Sequence, residues 1–214
     1  MKILIISAHA DDACVAIGGT IAMMAEDKSN KMRFISFSIA EKSVPKGFPK
    51  DVVAGECIEA MKVLGIGKKD IVMKRYPVRD FLEYRQEILE YLIKERNEFK
   101  PDMVIFPATN DVHQDHEVVN KECVRAFRRC SSLYGYDFPW NVLCGGNLNL
   151  FYEIKEKHLR KKIEALKCFE SQCAKGSMIL DEEYTRSLVI ERGHRVGVRY
   201  AEALEMIREI RHCD

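Results

Sequence analysis

Two short stretches of the chain concentrate side chains that bind metals and transfer protons. The first is HADD, residues 9–12, and the second is DVHQDH, residues 111–116. The imidazoles of His9 and His116 and the carboxylate of Asp12 would form a ligand set with open coordination positions. Such a set suits catalytic zinc or, as a facial triad, iron(II). We favour a metal site over the alternative, a hydrogen-bonded capping turn, because the chain contains two such clusters.

Each polar stretch directly follows an apolar run. KILII, residues 2–6, precedes the first stretch, and MVIF, residues 103–106, precedes the second. Their continuous apolar character is typical of parallel strands that are buried on both faces. Ligands of open parallel sheets bind beyond the carboxyl ends of the strands, so we expect the two polar stretches to meet at that edge. His113 and His116 are separated by one helical turn, which places both on the same side.

Short apolar runs alternate along the chain with segments of helical period. The predicted strands cover residues 2–7, 32–38, 70–75, 102–107 and 148–154, and the predicted helices lie near 17–27, 51–64, 80–98 and 116–130. This alternation favours an α/β fold, with a Rossmann-like, open, mostly parallel sheet and helices on both faces.

The remainder of the chain has a different character. Residues 131–147 lack a clear period and are predicted to form a long loop, which in a compact domain is usually functional. The region after residue 155 is predicted to be helical, over 155–172 and again over 199–211. Because no linker or repeat interrupts the sequence, we expect a single domain over 1–214.

The charge balance excludes several classes of partner. Lys and Arg total 34 and Asp and Glu total 33, which gives a formal net charge of +1. This balance offers no electrostatic basis for binding nucleic acid or an anionic membrane. No segment approaches the ~18 uninterrupted apolar residues of a transmembrane helix, and the N-terminal apolar run is too short for a secretory signal. We therefore expect a cytoplasmic protein that acts on a small molecule; homo-oligomerisation is left open.

The cysteines do not follow a structural zinc pattern. The eight cysteines, at positions 14, 57, 123, 130, 144, 168, 173 and 213, show no CxxC spacing, so the standard structural zinc motif is absent. Most lie in apolar segments of helical type, where free cysteine behaves as a small hydrophobic residue. We expect them to be reduced.

The glycine pair after the first polar stretch has two interpretations. Gly18 and Gly19 suggest a dinucleotide-binding loop, but the G-x-G-x-x-G fingerprint is absent and the two aspartates would repel a pyrophosphate. A Rossmann dehydrogenase is therefore disfavoured. The glycines are better explained by close packing of the first helix or by close approach of a substrate.

The motifs resemble those of a known family, the PIG-L/LmbE-like zinc-dependent N-deacetylases. AHADDACVAIGGTIA is similar to the AHPDD…GGT signature of that family, and DVHQDH is similar to its D-x-H-x-D-H signature. KCFESQ and RGHRVGVRYAEAL resemble two further family segments, so the likeness covers nearly the whole chain. Members of the family typically remove the acetyl group from an N-acetylglucosamine unit of a larger conjugate.

The resemblance implies specific roles for the polar residues. The two imidazoles and the carboxylate named above would bind zinc. Asp11 would act as general base, His113 as acid or oxyanion partner, and Asp115 as the group that orients His113. These roles agree with the chemistry of amide hydrolysis, in which zinc activates water and polarises the carbonyl while a nearby base accepts a proton.

Substrate-binding residues are less clearly marked. Val53 stands where the family commonly has an arginine that could meet a hydroxyl or phosphate. Three other side chains are candidates for that contact: Lys50, Arg79 and Arg192; His194 is a separate candidate for the substrate pocket. Arg79 is favoured among them because it follows the third predicted strand and should therefore face the same sheet edge as the histidines.

Together, the motifs and their chemistry predict a metal-dependent hydrolase that removes an N-acetyl group from an amino sugar or its conjugate. Zn²⁺ is the expected cofactor, with Fe²⁺ or another divalent metal as an alternative. Two other functions are left open. One is a related amidase that acts on a sugar–thiol conjugate, and the other is a catalytically inactive sugar-binding protein on the same fold.

Overall fold

The computed structural model of the chain describes residues 1–142, 146–176 and 181–211. Its strands are β1 Lys2–His9, β2 Lys31–Ser38, β3 Ile71–Met73, β4 Met103–Pro107, β5 Ser132–Tyr136, β6 Leu150–Glu153 and β7 Ala201–Arg208. Its α-helices are α1 Asp12–Met24, α2 Val52–Leu64, α3 Arg85–Phe99, α4 Gln114–Phe127, α5 Glu156–Lys167, α6 Glu170–Cys173 and α7 Glu182–Arg195. Two of the cysteines considered above, Cys144 and Cys213, lie outside the described residues.

The strands form one seven-stranded sheet in the order β3-β2-β1-β4-β5-β7-β6. Neighbouring strands from β3 to β5 are parallel, whereas β7 is antiparallel to both β5 and β6. The chain leaves β1 toward β2 on one side, and β4 lies on the other side of β1. Doubly wound sheets form their ligand crevice at such a reversal of strand order. The predicted open, mostly parallel α/β sheet is confirmed.

Helices cover both faces of the sheet, as predicted. α1, α2 and α5 pack on the face that contains Ile3 and Ile5, and α3 and α4 pack on the face that contains Leu4 and Ile6. Successive residues of β1 therefore enter opposite cores, as the pleat of a strand requires. Burial on both faces fixes the carboxyl end of β1, where His9 lies.

The prediction of a helix over 199–211 is wrong, because the chain forms β7 there. The Ala, Glu, Leu and Met residues of this segment favour helix in isolation. However, β7 lies between β5 and β6 and pairs with both, and its first half is buried. Pairing and burial thus outweigh intrinsic propensity.

Three other boundaries also differ from the predictions. The loop predicted over 131–147 begins with a buried strand, β5, which pairs with β4. The first helix begins at Asp12, earlier than the apolar pattern predicts, and the third begins at Arg85 because the residues before it form turns. The earlier start of α1 is important for function, since it places Asp12 in the first helical turn.

The cysteines are unpaired in the described part of the chain. The cysteines at positions 14, 57, 123, 130, 168 and 173 are free, and the first three are buried. Their burial fits the role of small apolar residues. Among the helices in the described ranges, none combines the length and the apolar character needed to cross a membrane.

Candidate active site

The two polar stretches meet at the carboxyl ends of β1 and β4. His9 ends β1 and Pro107 ends β4, so the segments that follow both strands lie at the reversal of strand order. Side chains from both stretches line one cavity of about 250 Å³. Its ionisable lining from these stretches consists of His9, Asp11, Asp12, His113 and His116.

Three side chains, those of His9, Asp12 and His116, bring their ligand atoms close together in this cavity, and we call them the ligand triangle. His9 Nδ1 lies 3.3 Å from His116 Nε2 and 3.5 Å from Asp12 Oδ1, and His116 Nε2 lies 3.4 Å from Asp12 Oδ2. Tetrahedral zinc with bonds of about 2.0–2.1 Å places its ligand atoms about 3.3 Å apart. The chemistry and spacing of the three donors therefore fit a divalent metal ion. His113 supplies a less compact alternative to Asp12, since ring nitrogens of the three histidines lie within 4.8 Å of one another.

A further carboxylate lies behind each histidine of the ligand triangle. The Nε2–H of His9 donates to Asp115 Oδ2 at 3.0 Å, and the Nδ1–H of His116 donates to Asp111 Oδ2 at 2.6 Å. Because an ionised carboxylate only accepts hydrogen bonds, these contacts assign a proton to the outer nitrogen of each ring. The inner nitrogens face Asp12. Carboxylates in this position orient imidazoles that bind metals.

The acidic surroundings stabilise positive charge in the ligand triangle. Burial opposes ionisation of the His9 imidazole, but Asp12 and Asp115 raise its pKa to about 10. Burial likewise opposes ionisation of His116, but Asp12 and Asp111 raise its pKa to about 9. Burial also opposes ionisation of Asp12, yet the two histidines hold the pKa of its carboxyl far below the ordinary value. The negative field that holds these protons also favours a divalent cation, which displaces them when it binds.

Asp11 lines the cavity and does not cap the helix that follows it. It occupies the N-cap position of α1, but its side chain makes no capping hydrogen bond. Asp12 Oδ2 instead accepts the backbone N–H of His9 at 2.7 Å. Burial raises the pKa of the Asp11 carboxyl, and the neighbouring Asp12 charge adds to the shift. A carboxyl group with a raised pKa is suited to accept and return a proton near neutral pH.

His113 is held as a neutral hydrogen-bond donor. It is the N-cap residue of α4, and its Nδ1 accepts the backbone N–H of Asp115 at 3.2 Å. Nδ1 is therefore unprotonated, and the neutral ring carries its proton on Nε2. Burial lowers the pKa of His113, and the nearby His116 and His9 lower it further. At neutral pH the ring can donate from Nε2 without carrying a charge.

The structure places the Asp115 carboxylate on a different partner from the predicted one. Asp115 Oδ2 accepts from His9 and from the backbone N–H of Arg79, the latter at 2.7 Å, whereas only the backbone N–H of Asp115 reaches the His113 ring. This arrangement follows from the start of α4, where the free N–H groups of the first turn point at the N-cap side chain. Asp115 thus orients His9 with its carboxylate and contacts the His113 ring with its backbone N–H, so the predicted contact with His113 is made by the backbone of Asp115 and not by its side chain.

The four predicted substrate residues do not contribute to the cavity lining. Lys50 and His194 are exposed, and the Arg192 guanidinium is buried in an ion pair with Asp137. The Arg79 side chain is exposed, and its backbone adopts a φ of 75° that directs its N–H to Asp115. Substrate binding by any of the four stays a prediction.

Sequence reasoning missed several residues of the site. Asp111 lies in the second polar stretch five residues before His116, and this spacing was the one signal available for it. Gln172, Lys175 and Trp140 also line the cavity. Trp140 lies in the loop predicted over 131–147, whose length was a signal for function, whereas only the folded chain brings Gln172 and Lys175 to the site.

The contact of Asp111 with His116 is expected to strengthen metal binding. Asp111→Asn is expected to weaken zinc binding by about 10–100-fold, the usual effect of changing the partner of a metal-binding histidine. The amide keeps the shape of the side chain but removes the charge that stabilises the His116 imidazole. Competition with a chromophoric chelator measures the affinity. Asp102→Asn is the control, since Asp102 accepts a backbone N–H at the opposite edge of the sheet; equal affinities of Asp111→Asn and the control would contradict the assignment.

Comparison with known proteins identifies the family of the chain and agrees with its fold. The PIG-L family, described as GlcNAc-PI de-N-acetylase, matches residues 4–127, and the chain belongs to this family. The diacetylchitobiose deacetylase of Thermococcus kodakarensis is 24% identical over 229 residues, which cover 96% of this chain and 83% of the relative.

Solved structures show the same fold at lower identity. The N,N'-diacetylchitobiose deacetylase from Pyrococcus horikoshii, complexed with its inhibitor MPG, has a TM-score of 0.74 and 20% identity, over 95% of this chain and 82% of that one. GalB, the 4-carboxy-2-hydroxymuconate hydratase from Pseudomonas putida KT2440, has a TM-score of 0.77 and 20% identity, over 100% and 98% of the two chains. A deacetylase and a hydratase therefore share this architecture, so the reaction has to be inferred from the site.

Proposed function

We propose that this protein is a zinc-dependent N-deacetylase that hydrolyses the acetamide of an N-acetylglucosamine-type sugar or sugar conjugate. The observation that carries the proposal is that the ligand triangle shares one cavity with the Asp11 carboxyl, which makes no helix-capping hydrogen bond. Membership of the PIG-L family supports amide hydrolysis as the reaction. The two diacetylchitobiose deacetylases support an amino sugar as the substrate.

Zinc is the proposed metal because the ligand triangle offers two nitrogens and one carboxylate and leaves positions open for reactants. Fe²⁺ is the alternative with the same ligand preference. The chemistry that the bound ion supplies is polarisation of the acetamide carbonyl and greater acidity of the attacking water. His9, Asp12 and His116 would hold the ion, and Asp111 and Asp115 would orient the two imidazoles.

Asp11 is the proposed general base. Its carboxylate accepts a proton from the attacking water as the new C–O bond forms. The raised pKa of Asp11 then allows the same carboxyl to pass that proton to the amine nitrogen when the C–N bond breaks, which releases acetate and a free amino sugar. A single residue that first accepts and then donates balances the protons of the reaction.

His113 is the proposed oxyanion donor. The carbonyl oxygen of the acetamide gains negative charge as water adds, and the Nε2–H of His113 can donate a hydrogen bond to it. The lowered pKa of His113 favours this neutral-donor role over that of a cationic acid. Preorganised donors of this type contribute about 3–4 kcal/mol to transition-state stabilisation.

Trp140 gives a testable contact with the sugar. Its side chain is 41% exposed at the cavity, and its ring lies beside Phe138 with centroids 5.1 Å apart. An indole face offers apolar area for the C–H groups of a pyranose ring. Trp140→Ala is expected to raise KM about tenfold, or about 1.4 kcal/mol, without changing zinc content. Trp140→Phe should retain most of the affinity; equal KM values for the native protein and Trp140→Ala would contradict the contact.

Acetate release tests the proposed reaction directly. The zinc-loaded protein is incubated with N-acetylglucosamine, N,N'-diacetylchitobiose and GlcNAc-PI, and acetate and free amine are measured together. Equal amounts of both products are expected from at least one compound, and removal of the metal with a chelator should stop the reaction. A fully zinc-loaded protein that releases acetate from none of the three would refute the proposal.

The same panel separates the alternatives. An amidase specific for a sugar–thiol conjugate would release no acetate from the panel, and would release a free amine and the acyl group of the conjugate when such a conjugate is added. A catalytically inactive binding protein would bind a sugar in calorimetry and release no acetate. The intact set of base, donor and ligand triangle favours the enzyme over the binding protein.

A further inference from the structure

Helix α1 is broken in its first half. Ile17 has φ −137° and ψ 25°, which lie outside the helical region, although helix continues on both sides. The segment before the break, residues 12–16, is little more than one turn long and follows directly on Asp11. The break therefore separates the turn that holds Asp12 from the longer part of α1.

A buried ion pair contacts two backbone groups at the break that an unbroken helix would pair with each other. In an unbroken helix the N–H of Thr20 would donate to the carbonyl of Ala16. Here the Thr20 N–H donates to Glu202 Oε2 at 2.6 Å, and the Ala16 carbonyl accepts from Lys162 Nζ at 3.3 Å. Lys162 Nζ also donates to Glu202 Oε1 at 2.6 Å. The lysine and the glutamate thus each provide a hydrogen-bond partner for one of these two backbone groups.

The two residues of the pair lie on two different elements in the C-terminal part of the chain. Lys162 lies on α5 and Glu202 on β7, and each side chain is only 1% exposed. Glu202 Oε1 accepts the N–H of Gly19 as well, at 3.1 Å. The pair therefore fastens the break in α1 to α5 and to the sheet at the same time.

The two glycines explain how the pair can come so close. A Cβ on Gly18 would lie 3.0 Å from Lys162 Cγ, and a Cβ on Gly19 would lie 2.7 Å from Ile154 Cδ1 and 3.3 Å from Glu202 Oε1. Both distances to carbon are shorter than an ordinary contact between carbon atoms. The glycine pair thus makes room for the side chains that contact the backbone at the break.

We infer that the Lys162–Glu202 pair is a positioning device, which sets the first turn of α1 and with it Asp11 and Asp12 relative to His9 and His116. A buried ion pair contributes little net stability compared with apolar residues of the same volume, so a geometric role accounts better for its presence. The effect on the backbone stands on the structure alone. The effect on metal binding rests on the proposed function.

The test removes both charges together, because a single substitution would leave an unpaired buried charge. In Lys162→Met/Glu202→Gln, the Val15 and Ala16 amides are expected to exchange hydrogen at least about tenfold faster than in the native metal-free protein. The exchange rates of the β1 amides should rise only as far as the loss of overall stability accounts for. Cobalt(II) is then added as a metal probe. Its affinity should fall about 10–100-fold, with an altered d–d absorption band.

Two further variants make the result decisive. Arg33→Met/Glu95→Gln removes a partly buried ion pair between β2 and α3 and should alter neither the Val15 and Ala16 amides nor the cobalt spectrum. Gly18→Ala displaces Lys162 without removing charge and should change both readouts in the same direction as the double variant, even if the latter fails to fold.

The outcomes distinguish the inference from the proposed function. The Lys162–Glu202 variant can lose stability and still show the same Val15 and Ala16 amide exchange and the same cobalt spectrum as the Arg33–Glu95 control. In that case the pair is only a structural ion pair and the inference is overturned. If Gly18→Ala also leaves both readouts unchanged, the same conclusion follows. A native protein that binds no cobalt would refute the proposed metal site, and the exchange data would still decide the positioning role.

Discussion

Asp11→Asn is expected to lower turnover by about 10²–10⁴-fold or more, while the zinc content remains that of the native protein. The asparagine amide has the same shape as the carboxyl group but cannot accept a proton from water. Asp11 makes no capping hydrogen bond, so the substitution removes no support from α1. The measurements are kcat from acetate release and zinc content by elemental analysis, on the same preparation.

The matched control for Asp11 is Asp51→Asn. Asp51 is also an N-cap aspartate without a side-chain capping bond, at the start of α2, and it is exposed. Native turnover is expected in this control. Native turnover in Asp11→Asn as well would exclude Asp11 from the mechanism, whereas loss of zinc in Asp11→Asn would reassign it to metal binding.

Removal of either His116 or Asp12 is expected to empty the zinc site and abolish turnover. Two protein ligands remain in His116→Ala or Asp12→Ala, and two ligands hold zinc poorly compared with three. The loss should be visible as zinc per chain below a small fraction of the native value after dialysis against buffer without metal. Circular dichroism and urea unfolding establish that each variant is folded.

His158→Ala is the matched control for the loss of a buried imidazole. His158 on α5 is 3% exposed, and its Nδ1 accepts the backbone N–H of Lys155, the N-cap residue of that helix, so its removal should cost stability and leave zinc in place. Full zinc occupancy in both His116→Ala and Asp12→Ala would refute the ligand triangle. If Asp12→Ala alone retains zinc, its loss on adding His113→Ala would identify the three imidazoles as the ligand set.

The parallel half of the fold was readable from local sequence. Strands such as β1 and β4 are continuous apolar runs, and a strand buried on both faces needs that composition whatever surrounds it. The polar residues that follow these runs had to lie at one sheet edge, because parallel strands end on the same side. For this reason the meeting of His9 and Asp12 with His113 and His116 could be predicted without knowledge of the tertiary contacts.

The partners of these residues depended on the fold. Asp115 contacts His9, 106 positions away in sequence, because the geometry of a helix start turns its carboxylate away from His113. Val53, the position of the expected arginine, is 1% exposed in the core, so it cannot meet a substrate. Lys175 and Trp140 reach the cavity from the C-terminal half of the chain.

Local sequence established which polar residues follow which buried strand, and therefore which of them could bind a metal. Only the tertiary structure decided that residues 201–208 form a strand despite their helical composition, and that Glu202 from this strand meets Lys162 and the break in α1. The physical reason is the range of the interactions. Apolar periodicity and strand burial can be read from a few neighbouring residues, whereas strand pairing and buried ion pairs gain their free energy from partners that are close only after the chain has folded.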